Sequence, residues 1–195
     1  MHLSFDFLEH FISPQRLKTY IHLAEGNKEK AADLYIDNLN KCRHFYTQLH
    51  WLEIGLRNAM NRELSGKYGT EWFDNPHVSL GEKEQAQIQK AKDHLIRDRK
   101  LLTNGNIVAE LSFGVWVNLF NFPYEKLWRF PLRRAFAGHK AKLERHEMSK
   151  MLHPILKLRN RIAHYEPILS LDLPKMQQHI VDIVQWIEPN IPILP

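Results

Sequence analysis

HFYTQLHWLEIGLRNAM, residues 44–60, decides the fold. Its apolar residues Phe45, Leu49, Leu52, Leu56 and Met60 return every three or four positions, which is helical spacing and not the alternation of a strand. The stripe runs back through Cys42, Leu39 and Leu34 to about Lys28 and forward to Leu64, and Gly66 and Gly69 mark its end. One long helix or a pair of helices accounts for it.

Helical punctuation continues on both sides. Ser13-Pro14 is a capping serine followed by proline at the first helical position, leading into RLKTYIHLA. Ser79-Leu-Gly-Glu82 has the capping-box form and opens EKEQAQIQKAKDHLIRDRK, residues 82–100, a charged segment that predicts a mostly solvated helix. Asn104-Gly-Asn106 reads as a break before IVAELSFGVWVNLF, residues 107–120, whose near-continuous apolar character predicts a buried central helix. Pro123 and Pro131 bracket the aromatic segment YEKLWRF. A further helix is expected from about His139 to His164, stopped near Pro167, and Pro174 starts the last, KMQQHIVDIVQWIE, before an irregular tail NIPILP. With no repeat, low-complexity tract or composition shift, residues 1–195 read as a single all-α domain, a bundle of about six helices.

Composition agrees with an ordinary globular core: 44% of the 195 residues are hydrophobic and 25% charged. A single cysteine, Cys42, excludes an internal disulfide framework and a cysteine-built zinc site, and points to a reducing compartment, the cytoplasm. The N-terminal MHLSFDFLEHF carries acidic residues where a secretory leader carries basic ones, and no apolar run is long enough to span a bilayer, so no membrane partner is expected. A formal net charge of +5, with twelve histidines that add charge below neutrality, makes a polyanion a natural partner.

The stretch LKLRNRIAHYEP, residues 156–167, sets two arginines, an asparagine and a histidine among apolar residues at a helix end. At about 100° per residue, Met151, Ile155, Leu158 and Ile162 share one side, and Leu152, Leu156 and Ala163 widen that arc. Lys150, His153, Lys157, Asn160, Arg161 and His164 gather on the opposite arc. Arg159 falls inside the apolar arc, where an unpaired guanidinium is costly and must find a partner. The long helix carries a glutamate, Glu53, on its own apolar side, with Arg57 one turn on. Two arrangements fit: Glu53 meets Arg159 between helices, or Glu53 and Arg57 form a plain intrahelical pair.

An arginine and a histidine side by side are what metal-free RNA cleavage needs. The 2′-hydroxyl loses a proton, the leaving 5′-oxygen gains one, and the phosphorane's charge is offset by a cation. His164 titrates near neutrality in its unperturbed state and serves as acid or base, while arginine supplies a fixed planar charge. One histidine leaves half of the proton transfer unassigned, and a second copy of the chain would supply it. Arg159 and His164 lie five residues apart, about 140° around a regular helix. Either the helix frays before Pro167 and lets His164 turn, or Arg161 and Asn160 contact the phosphate while Arg159 holds the fold.

These residues resemble the HEPN superfamily, whose signature is an arginine followed after four to six residues by a histidine; Arg159-Asn-Arg-Ile-Ala-His164 has the four-residue version. The asparagine after the arginine, the alanine before the histidine and the following Tyr165-Glu-Pro167 resemble the Abi-like (abortive infection) family specifically. So do Glu53-Ile-Gly-Leu-Arg57-Asn58, Glu110-Leu-Ser-Phe-Gly114-Val-Trp116 with Asn118-Leu119, and Leu127-Trp128 running to Phe136. The resemblance covers most of residues 45–170. It implies a homodimer that brings two motifs into one cleft and metal-independent RNA cleavage leaving a 2′,3′-cyclic phosphate. Biologically it implies bacterial defence against phage, with the toxic activity restrained by an antitoxin protein or a non-coding RNA. Carried over, Arg159 and His164 are catalytic and Asn160 supports their geometry, while Arg161, Lys157, Glu53, Arg57 and Asn58 bind RNA or support the site.

The rival reading is a non-catalytic RNA- or nucleotide-binding protein on the same fold. No metal or other cofactor is expected. His139, His146 and His153 recur every seven residues, about 10 Å apart in rise along a helix, too far for neighbours to share one ion. Cys42 reads as a small buried hydrophobe, Trp116, Trp128 and Trp186 as core, and Gly114 as a point of close helix approach.

Overall fold

The computed structural model describes residues 3–139 and 142–192. Among these every regular element is helical: nine α-helices with four short 3-10 segments between them. They are α1 (Phe5–Ile12), α2 (Pro14–Leu23), α3 (Lys28–Tyr68), α4 (Glu82–Arg97), α5 (Asn104–Glu110), α6 (Phe113–Asn118), α7 (Glu125–Arg129), α8 (Arg145–Ala163) and α9 (Leu173–Ile187). The all-α class stands, and the count exceeds six for three local reasons. Ser4 caps an additional first helix by accepting from the Phe7 amide at 3.3 Å. The expected central helix is two, because Leu111 and Ser112 take extended backbone angles (ψ 132° and 155°) that end α5 and start α6. The aromatic segment between Pro123 and Pro131 winds into α7.

The long stripe is one helix. Asn27 caps α3 by accepting from the Lys30 amide at 2.9 Å, and 41 residues later Gly69, at φ +89°, turns the chain out. α3 is the spine of the molecule and touches α1, α2, α6, α8 and α9. Its C-terminal part buries Phe45, Leu49, Leu52, Leu56, Met60 and Leu64 in the main core, while Ala31 and Ala32 join a smaller apolar cluster with Leu8, Leu17 and Tyr20 of α1 and α2. Leu39 is a correction: it is 43% exposed, and Asn38 is buried in its place at 3%. The Asn38 Oδ1 accepts the amide of Ile168 at 2.8 Å, so the inward position serves a backbone donor of a distant segment and not the apolar stripe.

Three helix starts differ from expectation. α4 begins after Gly81, not in a capping box; Ser79 sits in the left-handed region at φ +50° and its hydroxyl donates to the Pro76 carbonyl. Asn104-Gly-Asn106 forms the first turn of α5 and not a break, because the Thr103 hydroxyl accepts from the Asn106 amide. α8 begins at Arg145 and not at His139, where Glu144 and Glu147 make a reciprocal capping box. His139 therefore precedes the helix, its ring edge-on to Trp186 with centroids 4.5 Å apart, and only His146 and His153 share α8. Residues 140 and 141 of the expected helix, and residues 193–195 of the tail, lie outside the described residues. α4 is solvated apart from one buried line, Glu84, Ile88, Ala91 and Leu95. Trp116 and Trp128 are buried at 1% and 2% exposure. Among the described residues, no helix is long and apolar enough to cross a membrane.

Candidate functional site

α8 packs between α6 and α9 and against α3, with Leu152, Ile155 and Leu158 fully buried. Its last two turns carry the polar motif on two opposite sides. On the inner side, the Arg159 Nε donates to Glu53 Oε1 at 2.9 Å, joining α8 to α3 across 106 positions of sequence. Of the two arrangements open to Glu53, the structure has the interhelical one. The pair is partly exposed, 36% for Arg159 and 25% for Glu53, so solvent screens it and its contribution to stability is at most about 1 kcal/mol.

Beside this pair lies a cavity of about 290 Å³ lined by both residues, by Arg57 and His50 of α3, by Leu111, Phe113 and Trp116, and by Ile162 of α8. Its polar groups are poorly matched. Two guanidiniums share the single carboxylate of Glu53, and Arg57, left without it, reaches only the Ala109 carbonyl at 3.5 Å. The Arg57 Nε and the Trp116 Nε1 are both buried with no hydrogen-bond partner. A buried donor left unpaired costs about 1–3 kcal/mol, so two of them at one cavity call for an acceptor there.

The outer side is different. α8 stays regular through Ala163, and the His164 amide still bonds the Asn160 carbonyl at 3.0 Å. Tyr165 then takes the left-handed conformation at φ +58°, its amide bonds the Ile162 carbonyl at 3.1 Å, and the Glu166 amide bonds the Arg161 carbonyl at 2.8 Å. This is a Schellman stop with tyrosine where glycine is usual. The helix does not fray, so Arg159 and His164 remain on separate sides: Arg159 lines the inner cavity, and His164 lines an open cleft of about 430 Å³ with His153, Lys157, Asn160, Arg161 and Glu166. Arg161 is engaged in the turn, donating to the Pro167 carbonyl at 2.8 Å with Glu166 at 3.7 Å.

Exposed basic side chains continue along this outer face. His146, Lys150, His153, Lys157 and His164 are exposed at helical spacing, Arg161 is half-buried beside them, and Lys150 and Lys157 have no ion-pair partner among the described residues. Asn58, on α3, is exposed and makes no side-chain contact with the motif. The expected set is thus brought together in two groups, Glu53, Arg57 and Arg159 at the cavity, and Lys157, Asn160, Arg161 and His164 at the cleft.

Two contributors escaped the sequence reading. Trp116, taken as plain core, brings an indole N–H that requires an acceptor, and that requirement is the signal that marks it. Arg16 of α2 donates to the carbonyls of His164 (3.3 Å) and Tyr165 (2.7 Å), which pins the helix end to the N-terminal hairpin; nothing in the local sequence announces that link. Gly114 does face Leu156 of α8, but an added Cβ would stand 3.9 Å from it, an ordinary contact, so glycine is not demanded there. Among the described residues, no three histidine, cysteine, aspartate or glutamate side chains gather as a metal site would require. Comparison with protein-family models, with curated proteins and with solved structures finds no match for this chain.

Proposed function

We propose that the chain is a metal-independent endoribonuclease of the HEPN type, with its RNA-facing surface on the outer side of α8. The observation that carries this reading is the exposed basic line from His146 to His164, which ends on a histidine at an open cleft. Lysines at helical spacing attract the phosphate backbone without sequence preference. His164 is the residue there with a proton to give or take near neutral pH. In the cleavage step the 2′-oxygen attacks phosphorus as a base removes its proton, the bond from phosphorus to the 5′-oxygen breaks, and an acid protonates that oxygen, leaving a 2′,3′-cyclic phosphate. A homodimer packed through this face sets two copies of His164 about one strand, one as base and one as acid. Lys157, Asn160 and Arg161 border the cleft and hold the backbone beside it.

The separation of Arg159 from His164 favours a second reading, RNA binding without cleavage, since one phosphate cannot meet both side chains of a single chain. In the nuclease reading Arg159 acts on RNA only in the assembled dimer. The biological setting we attach is cytoplasmic defence against phage by growth arrest, with an antitoxin protein or a non-coding RNA as restraint. Purified protein is incubated with RNA in excess EDTA and the product ends are analysed, alongside His164→Ala. The nuclease reading expects cyclic-phosphate ends from the wild type and a loss of rate of roughly 10²–10⁴ in the variant, with salt-sensitive binding retained. Intact RNA in both, with equal binding and equal salt dependence, replaces it with the binding reading.

A further inference from the structure

We infer that the inner cavity is a binding site for a small planar monoanion, a ring bearing a carboxylate or phosphate, separate from the His164 cleft and independent of whether RNA is cut. Arg57, Arg159 and Glu53 leave the cavity lining with one positive charge in excess. Glu53 is already spent on the Arg159 Nε, so it neutralises one guanidinium and leaves the Arg57 charge open. Two buried donors, the Arg57 Nε and the Trp116 Nε1, have no acceptor within the protein. Trp116 is itself only 1% exposed, so its N–H cannot turn to bulk water for one. The missing partner is therefore an anionic, oxygen-rich group brought from outside.

The rest of the ligand follows from the walls. Phe113 and Ile162 close the cavity with apolar surface, and its volume of about 290 Å³ admits one ring with its substituent and excludes a long chain. Acidic metabolites with an aromatic ring and single nucleotide units both have this chemistry. Because α8 stands between the two surfaces, a ligand held here touches Arg159 and not His164.

Titration calorimetry on the full chain with benzoate and with uridine 3′-monophosphate tests the site. Wild type binds at least one probe saturably, and the probe that binds more tightly tells a free aromatic acid from a nucleotide unit. Arg57→Met and Trp116→Phe each weaken binding by roughly tenfold or more, the effect of losing a hydrogen bond to a charged group, while His164→Ala binds as the wild type does even where it loses cleavage. Near-ultraviolet circular dichroism checks that each variant is folded, and if Trp116→Phe is not, Arg57→Met alone decides. No saturable binding of either probe at millimolar concentration overturns the inference. So does binding that the Arg57 variant leaves unchanged, or that His164→Ala abolishes.

Discussion

The two ends of α8 carry the same pair of residue types in opposite conditions. At its start, the Arg145 Nε donates to Glu125 Oε2 at 2.7 Å, another of its nitrogens donates to the Phe120 carbonyl, and its guanidinium lies over the Phe122 ring at 5.8 Å. Its side chain is 10% exposed and saturated with partners. Near its end, Arg159 also donates its Nε to a glutamate, yet it is 36% exposed, has that one partner among the described residues, and borders a cavity with unpaired donors. The first arginine ties helices together. The second is held in place with most of its hydrogen-bonding capacity unspent, which is how a binding group is presented.

The contrast is sharpest on substitution. Arg145→Met should cost about 3–5 kcal/mol in urea denaturation, because a nearly buried carboxylate partner and a backbone carbonyl lose their donor. Arg159→Met, in the partly exposed pair, should cost under about 1 kcal/mol. Equal losses at the two sites would break the comparison.

The chain leading into α8 should be as intolerant as its first residue. A Cβ on Gly138 would stand 2.7 Å from the Gln185 carbonyl and 2.9 Å from Pro189, where α9 ends. Gly138→Ala should therefore destabilise by about 1–3 kcal/mol, read from the same denaturation midpoints, and a neutral result would show that the α9 terminus yields.

The chain leaving α8 should respond in the other direction. Tyr165 is 80% exposed and holds φ +58°, a conformation that costs a side-chain-bearing residue about 1 kcal/mol or more. Tyr165→Gly should raise thermal stability by about 1 kcal/mol or less. A loss of RNA cleavage or binding in that stabilised variant would mark the exposed tyrosine as part of the outer surface; unchanged function would leave it only a strained stop.

The smallest effect concerns pH. Hydrogen bonds from Arg145 and then from Arg129 hold the Glu125 carboxyl below its ordinary value of 4.5. A carboxyl held low in the folded state adds stability above its unfolded value and loses it as pH falls through the folded value. Urea midpoints taken between pH 6 and pH 3 should therefore fall less steeply for Glu125→Gln than for wild type. Parallel curves would show that the pair at the start of α8 contributes nothing on acidification.

Much of this molecule is legible in its sequence, and the misses share a cause. The α3 stripe, the opposed arcs of α8 and the proline starts of α2 and α9 follow from residues a turn or so apart, and the structure has them. The capping box was assigned to Ser79 where the motif is present, yet it forms at Glu144, because a cap depends on where the preceding chain lets the helix begin. The split between α5 and α6 went unseen because a near-continuous apolar run carries no periodicity that shows its length.

What the sequence by itself determined is therefore local: helices everywhere, Arg159 set on an apolar arc and so in need of a partner, and His164 set on a basic one. Only the tertiary structure decided that the partner is Glu53, that Arg57 and Trp116 are thereby left with unpaired donors, and that the two halves of the motif face different surfaces. The physical reason is that helical periodicity is set by neighbours three and four residues apart, whereas pairing is a competition among groups that only packing brings together, here across 106 positions of chain.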